Sequence, residues 1–221
     1  MNKPLCIVVG YGAGVGQGIA LAFGKAGFRI GLIARNPAKF AEPMQQLAAT
    51  GIETIVKAAD AGDEEALASA IGAISANAEV EVLIYNAVAP TFGKPSILSA
   101  SQLVNDFRVD VAGALVATQT VLPAMRLRRQ GSILFTGGGW AHYPWDDAAS
   151  IGIGKAGLRS LALVLAQELA DSGVRVGIVS IMGQVAPGTP FDPSSIGEAF
   201  LKVHERPQSE HETELLFKGL A

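Results

Sequence analysis

A glycine-rich turn near the amino terminus separates a short apolar run from a segment with helical periodicity. The run Leu5–Val9 is typical of a buried parallel strand, and a helix is predicted from about residue 15 to residue 26. Glycine lets backbone amides approach a phosphate closely, and the phosphate then lies at the positive end of the following helix. This placement favours a phosphate-binding turn over a glycine-rich connection without a ligand.

The glycines of this turn fit the spacing G-x-x-x-G-x-G in two registers. One register uses Gly10, Gly14 and Gly16, and the other begins at Gly12. We prefer the first, because Gly10 directly follows the strand. It predicts that a pyrophosphate is bound at Gly10, Gly14, Val15 and Gly16.

Strand-like and helix-like segments alternate along the rest of the chain. Further strands are predicted at about 28–33, 53–58, 80–85, 132–136, 174–181 and 212–217. A second helix is predicted from Asn36 and Pro37, which supply an N-cap and a first-turn proline, and further helices at about 63–77, 99–128, 148–172 and 193–203. Strict alternation implies a parallel sheet with helices on both faces. The predicted fold is therefore α/β, a three-layer doubly wound sheet of about seven strands, in a single domain over residues 1–221.

Charge and cysteine content limit the possible partners. The net charge of −3 argues against nucleic acid or an anionic membrane as the main partner. Glycine, arginine and proline interrupt the apolar stretches, so no transmembrane helix is predicted. The single cysteine, Cys6, lies inside the first apolar run, which favours a reduced, cytoplasmic protein. Neither His204 nor His211 pairs with Cys6 in a ligand spacing, so no metal site is predicted.

Four segments resemble short-chain dehydrogenases/reductases, a family with a Rossmann-type fold. The glycine turn continues as Gly14–Ala20, and acidic Asp60 follows the third predicted strand. Asn86 and Ala87 follow the fourth strand, and a Lys-Ala-Gly helix begins at Lys155. The resemblance covers about residues 5–183. It implies that Asp60 faces an adenine ring, that Asn86 and Ala87 border the cofactor, and that Lys155 holds the nicotinamide ribose.

The end of the second strand bears on the choice of cofactor. Ala34 stands where the family has an acidic residue that binds the ribose hydroxyls, and Arg35 follows it. A guanidinium group matches the geometry of a phosphate. The alternative is that Arg35 is a solvated surface charge. We expect NADP(H) to be favoured over NAD(H).

Three of the family's four catalytic positions have changed. The family uses a tyrosine four residues before the lysine, a serine thirteen residues before the tyrosine, and an asparagine in the fourth helix. Counting from Lys155 places Ile151, Gly138 and Asp110 at these positions. Neither isoleucine nor glycine carries a hydroxyl group. Lys155 is therefore the only catalytic residue that the resemblance supplies.

Two further features qualify this interpretation. The sequence 134–137 and the tail from Glu198 resemble an atypical subgroup in which the tyrosine and serine are replaced. The loop after the fifth strand also carries polar and aromatic residues, of which His142 and Tyr143 are candidate acids. Each loop residue is more simply explained as a pocket wall or a solvated side chain.

Three hypotheses follow for the function. The first is an NADP(H)-dependent oxidoreductase that acts on a small carbonyl or alcohol substrate with a non-standard proton donor. The second is an inactive cofactor-binding module, serving as a redox sensor or a partner subunit. The third, an ordinary dehydrogenase with a misaligned motif, conflicts with the Lys-Ala-Gly helix. Apolar residues on the helices at 99–128 and 148–172 further predict a homodimer or homotetramer.

Overall fold

The computed structural model describes residues 3–207 and 210–219, and its centre is one parallel sheet of seven strands. The strands lie in the order β3-β2-β1-β4-β5-β6-β7, and every paired strand is parallel to its neighbour. They are β1 (Leu5–Val9), β2 (Arg29–Ala34), β3 (Thr54–Ala58), β4 (Val80–Tyr85), β5 (Gly131–Gly138), β6 (Val174–Ile181) and β7 (Glu214–Phe217). The predicted edge strand is thus β7, beside β6. The order reverses between β1 and β4, where ligands bind in sheets of this kind.

Helices cover both faces of the sheet, so the predicted three-layer fold is confirmed. They are α1 (Val15–Lys25), α2 (Ala41–Ala49), α3 (Glu64–Ser75), α4 (Ala100–Phe107), α5 (Gly113–Arg128), α6 (Ala149–Glu168) and α7 (Pro193–Glu205). One core cluster contains apolar residues of α1, α2 and α7, and the other contains those of α3, α5 and α6. Each strand alternates its side chains between these two cores.

Helices α1 and α7 approach each other closely through a pair of glycines. A methyl group on Gly18 would overlap the Pro193 carbonyl, and one on Gly197 would overlap the Gly18 carbonyl. Gly18, the third glycine of the register that begins at Gly12, therefore serves the packing of α1 against α7. This supports the register that begins at Gly10.

The helical region predicted at 99–128 is divided. Its central turn, Arg108–Ala112, is a π-helix between α4 and α5. The Val109 carbonyl accepts a hydrogen bond from the Tyr85 hydroxyl, and the Asp110 carboxylate accepts one from the Ala89 amide. These contacts tie the turn to the end of β4 and hold it in its irregular form, as is common at functional sites.

Helix α6 meets the length and hydropathy criteria of a membrane span, which differs from the sequence expectation. Its inner face, with Leu158, Ala162 and Leu165, lies in the hydrophobic core against the sheet. The helix also carries Lys155 and Arg159. It is the core helix of one layer, and it ends at Glu168 rather than at the predicted Ser172.

Candidate functional site

The turn after β1 is shaped by a close approach of two chain segments. Gly10 has a φ of 82°, and a methyl group on it would overlap the backbone of Ala87 after β4. The amides of Gly10 and Tyr11 both donate to the Ile33 carbonyl, at 2.9 and 3.0 Å. Only glycine fits at this position. Gly10 is therefore required by the protein's own backbone, in addition to any ligand.

The turn leaves amide donors unused. Within the described part of the chain, the amides of Gly12, Ala13 and Gly14 donate no hydrogen bond. Gly14 is the N-cap of α1 and supplies no capping side chain, and the first turn of α1 carries no acidic residue. The unpaired amides and the positive helix end form a concave site suited to an anion.

Side chains that the sequence analysis did not single out hold this turn in place. The Tyr11 hydroxyl donates to the Gln17 side-chain oxygen, and the Gln17 side-chain amide donates to the Pro43 carbonyl at 3.1 Å. The Phe40 ring packs edge-on against Tyr11, with ring centroids 5.8 Å apart. Tyr11 and Gln17 are buried. The sequence signal available was a polar glutamine placed among the glycines at the start of α1.

A cavity of about 570 Å³ opens beside this turn, at the point where the strand order reverses. Its volume suits a nucleoside or another small-molecule fragment. Arg35 and Lys39 line it and are both exposed, and Asp60 also lines it. The Asp60 carboxylate accepts the Gly62 amide at 2.9 Å, which fixes its orientation. Lys39 is a second cation that the sequence analysis did not name.

A chain of hydrogen bonds joins the ends of three strands. The Thr136 hydroxyl of β5 donates to the Asn86 side-chain oxygen at 2.9 Å, and the Asn86 side-chain amide donates to the Gly10 carbonyl at 2.8 Å. The Lys155 ammonium donates to the Thr136 carbonyl at 2.7 Å. Asn86 and Lys155 are thus brought into one site with the glycine turn. Thr136, the connecting residue, was not singled out from the sequence.

Electrostatics around Lys155 are set by burial and by one carboxylate. Burial lowers the pKa of the Lys155 ammonium to about 8, although the Asp110 carboxylate opposes this change. Burial also raises the pKa of Asp110 to about 6, against the opposing effects of the Ala89 amide and of Lys155. Asp110 Oδ2 is buried and has no hydrogen-bond partner in the described residues. Perturbed groups in a cleft of this kind often mark functional sites.

Ile151 and Gly138 are the residues that the spacing from Lys155 assigns to the family's tyrosine and serine. Ile151 is 5% exposed on α6, one helical turn before Lys155. Gly138 ends β5, and a methyl group there would lie 3.8 Å from Lys155 Cγ. The backbone of Gly138 is extended, with φ −162° and ψ 158°. Neither Ile151 nor Gly138 carries a hydroxyl group.

Aromatic rings from two loops form a cluster at the same end of the sheet. Phe92, Trp140 and Trp145 have ring centroids 5.5 to 6.5 Å apart. The two loops are joined by a β-bridge between Gly93 and Ala148. The predicted pocket-wall role of the loop residues stays a prediction.

His142 and Tyr143 are the candidate acids of the loop after β5. His142 contacts β7, and Tyr143 is exposed to solvent. His142 Nε2 lies 2.8 Å from Glu214 Oε1, and Glu214 also accepts from Ser180 and Arg159. These hydrogen bonds, together with the Arg159 charge, lower the pKa of Glu214 despite partial burial. Tyr143 is 73% exposed. His142 thus anchors the loop to β7, and this long-range contact had no signal in the sequence.

A metal centre has no support in the described geometry. Over residues 3–207 and 210–219, no group of three or more histidine, cysteine or acidic side chains could hold an ion. Cys6 is buried in β1, and burial raises the pKa of its thiol.

Comparison with known proteins identifies the family. The family model described as short chain dehydrogenase matches residues 4–189. The chain is 30% identical over 173 residues to 2,3-dihydro-2,3-dihydroxybenzoate dehydrogenase of Escherichia coli (strain K12), covering 78% of this chain and 66% of that protein. It is 26% identical over 210 residues to the uncharacterized oxidoreductase YhxC of Bacillus subtilis (strain 168), covering 92% and 70%. The chain therefore spans about two thirds of the length of these curated relatives.

A solved structure agrees along almost the whole chain. The crystal structure of a metagenomic short-chain oxidoreductase in complex with NADP matches with a TM-score of 0.87 and 25% identity, covering 96% of both chains. The family model, the parallel sheet and the strand-end site lead to the same assignment. The chain belongs to the short-chain dehydrogenase family of NAD(P)-dependent oxidoreductases.

Proposed function

We propose that this protein is an NADP(H)-dependent oxidoreductase that interconverts a small carbonyl compound and its alcohol with a non-standard proton donor. The observation that carries the cofactor assignment is the end of β2. Arg35 and Lys39 line the cavity there, and Ala34 stands in place of a carboxylate. The NADP complex of the metagenomic relative supports this choice.

The residues present fit such a cofactor. The free amides of the turn and the end of α1 would hold the pyrophosphate near Gly10, Gly14, Val15 and Gly16. Asp60 and the chain at Asn86 and Ala87 would border the adenosine half, because they line the cavity. Lys155 would hold the nicotinamide ribose. The bound cofactor supplies or accepts a hydride.

NADPH is expected to bind roughly tenfold to hundredfold more tightly than NADH. A hydrogen bond between an arginine and a phosphate contributes about 1.5–3 kcal/mol, and no carboxylate at the end of β2 repels the phosphate. Arg35→Glu should abolish the preference by weakening NADPH binding. Isothermal titration calorimetry with both cofactors measures it. Lys25→Glu makes the same charge change on an exposed residue at the far end of α1 and should keep the preference. Equal affinities in the native protein would contradict the proposal.

The second candidate function is a cofactor-holding module without turnover. Gly138 and Ile151 favour it, because both of the family's hydroxyl groups are missing. Cofactor binding is common to both candidates and does not separate them. Hydride transfer from bound NADPH to a carbonyl compound does, since a module of this kind would show none in the native chain.

We also propose that the chain assembles as a homodimer or homotetramer through α4, α5 and α6. Exposed apolar side chains on these helices include Val104, Phe107, Leu115, Ile153 and Val164. Exposed apolar area of this kind marks an interface in soluble proteins.

The negative net charge and the soluble type of fold support a cytoplasmic protein with a small-molecule substrate and with neither nucleic acid nor membrane as a partner.

Sedimentation velocity at micromolar concentration is expected to show a dimer or tetramer. Val164, 58% exposed on α6, should lie within the interface. Val164→Glu should dissociate the assembly, because a charge buried at an interface without a partner is strongly unfavourable. Val164→Thr keeps the shape of the side chain and should leave most of the assembly intact. A native monomer at this concentration would refute the proposal.

A further inference from the structure

The missing tyrosine raises the question of which group supplies a proton at the end of β5. The buried hydroxyls are engaged, since Tyr85 donates to the Val109 carbonyl and Thr136 donates to Asn86. His142 is held by Glu214 beside β7. Tyr143 extends into solvent. None of these groups presents a free proton to the space beside Gly138.

Asp110 is also separated from that space. It is 1% exposed, and one carboxylate oxygen accepts the Ala89 amide. The other oxygen lies against the backbone of α6, where a methyl group on Gly154 would overlap it. The carboxyl group is therefore enclosed between the π-helical turn and α6. It acts on the site through its charge.

Lys155 differs from all of these groups. Its ammonium carries three hydrogens, and the Thr136 carbonyl is its one acceptor among the described residues. Gly138 places only a hydrogen atom beside the lysine stem, where the Cβ of another residue would lie 3.8 Å from Cγ and 4.0 Å from Cδ. At Lys155 the protein thus leaves donor hydrogens without an acceptor among the described residues, and Gly138 places no side chain against the lysine stem.

We propose that Lys155 is itself the catalytic acid and base of this protein, an inference that rests on the proposed oxidoreductase function. In reduction, the carbonyl carbon gains a hydride from the reduced nicotinamide while the carbonyl oxygen takes a proton from Lys155 Nζ. One C–H bond of the reduced nicotinamide, the C=O π bond and one N–H bond would break, and a C–H bond and an O–H bond of the alcohol would form. The products are the alcohol, the oxidised cofactor and a neutral amine, which solvent then protonates.

The electrostatic surroundings suit this role. With a pKa of about 8, Lys155 is charged at neutral pH and is a stronger acid than an exposed lysine. Two effects set the pKa of Lys155. Burial lowers it, and the charge of Asp110, on the π-helical turn, raises it. Asp106, on α4, raises the pKa of Asp110 in turn. Reduction should therefore slow as the pH rises through about 8, because the ammonium loses its proton.

Single-turnover reduction provides the test. NADPH is bound at saturation, as measured by calorimetry for each variant, and mixed with 2,2,2-trifluoroacetophenone, an activated ketone, between pH 6 and 10. Loss of NADPH fluorescence reports hydride transfer. The pKa of Lys155 is measured separately by NMR titration of the Nζ resonance in the protein saturated with NADPH and without ketone, with assignment from Lys155→Arg.

Two variants should change the alkaline limb of the rate profile, the fall in the reduction rate at high pH, in different ways. Lys155→Arg keeps the cation but does not release a proton in this range, so the rate at pH 7 should fall about 100-fold and the limb near pH 8 should disappear. Asp110→Asn removes the charge that supports the ammonium. The limb and the NMR pKa of Lys155 should then both fall by about one pH unit.

Each outcome decides between the proposals. An alkaline limb that stays at the same pH in both variants, or that departs from the NMR pKa, overturns the role of Lys155 while leaving the oxidoreductase function intact. Hydride transfer that appears only after a tyrosine is introduced at position 151 also overturns it, because the native chain then has no working acid. Absence of hydride transfer in the native and tyrosine-bearing chains overturns the oxidoreductase function itself.

Discussion

Carbonyl reduction with NADPH is expected to rise about 100-fold when Gly138→Ser, Ile151→Tyr and Asp110→Asn are combined in a chain that keeps Lys155. A positioned general acid contributes about 10²–10⁴, and a donor to the developing oxyanion contributes about 10²–10³. The two contributions overlap when residues act as a unit. Lys155 already supplies part of the general-acid contribution. The expected gain is therefore about 100-fold, the lower end of these ranges.

The backbone conformation at positions 138 and 151 is compatible with these substitutions. Gly138 is extended, so a serine there meets no conformational penalty, and its Cβ would fit in ordinary van der Waals contact with the Lys155 stem. Position 151 lies four residues before Lys155 in α6, which places both side chains on the same helical face. The restored tyrosine hydroxyl would then lie beside the ammonium, whose charge lowers the pKa of a phenol.

The hydroxyl group itself is tested by Ile151→Phe in the same triple variant. Phenylalanine adds the ring without the proton donor, so the rate should fall below that of the tyrosine-bearing variant and keep only the gain from Gly138→Ser. The rate is measured by NADPH absorbance under saturating cofactor with a panel of ketones and aldehydes. Native turnover near 10 s⁻¹ on that panel, a typical enzyme rate, would show that the chain already has an efficient acid.

Local sequence patterns predicted the parallel sheet and the position of the glycine turn well. Apolar runs and glycine turns repeat at short range, so β1, the glycine turn and α1 could be placed from neighbouring residues alone. Gly10 was selected for its approach to a phosphate, whereas the structure adds a second reason, the backbone of Ala87. That contact joins residues far apart in the chain, and no local pattern encodes it.

Long-range polar contacts account for what the sequence did not predict. The π-helical turn depends on the Tyr85 hydroxyl and the Ala89 amide, both on the neighbouring β4 segment. The anchoring of His142 depends on Glu214, whose strand could be predicted but whose side-chain partners could not. Such pairs follow from the register of the sheet, which is fixed only once the core has formed.

Asp110 connects the stability of the fold to the chemistry of the site. Its pKa in the folded protein is about 6, raised by burial above the value of 3.8 for an unperturbed aspartate. A carboxyl group with a raised pKa binds its proton more tightly in the folded state. The ionised form therefore destabilises the fold, and this cost develops as the pH rises from about 4 to about 6.

Asp110→Asn is expected to stabilise the protein by up to about 3 kcal/mol at pH 8, since each pKa unit corresponds to about 1.4 kcal/mol. Asparagine retains an oxygen for the Ala89 amide and carries no charge into the buried space against Gly154. Most of the gain should vanish at pH 4, where the aspartate is protonated. Urea unfolding at both pH values measures the difference.

Asp106→Asn is the matched control, because Asp106 is equally buried but its carboxylate is satisfied. It accepts hydrogen bonds from Ser150 at 2.5 Å and from Gln102 at 2.7 Å. An asparagine there can accept only one of them, so it should destabilise the fold by about 1 kcal/mol. A gain at Asp110→Asn that is equal at pH 4 and pH 8 would mean that packing, rather than ionisation, limits stability. A loss at pH 8 would mean that the charge of Asp110, through its attraction to Lys155, outweighs the cost of burying it. The proposed acid would then be held in its charged form at no net cost to the fold.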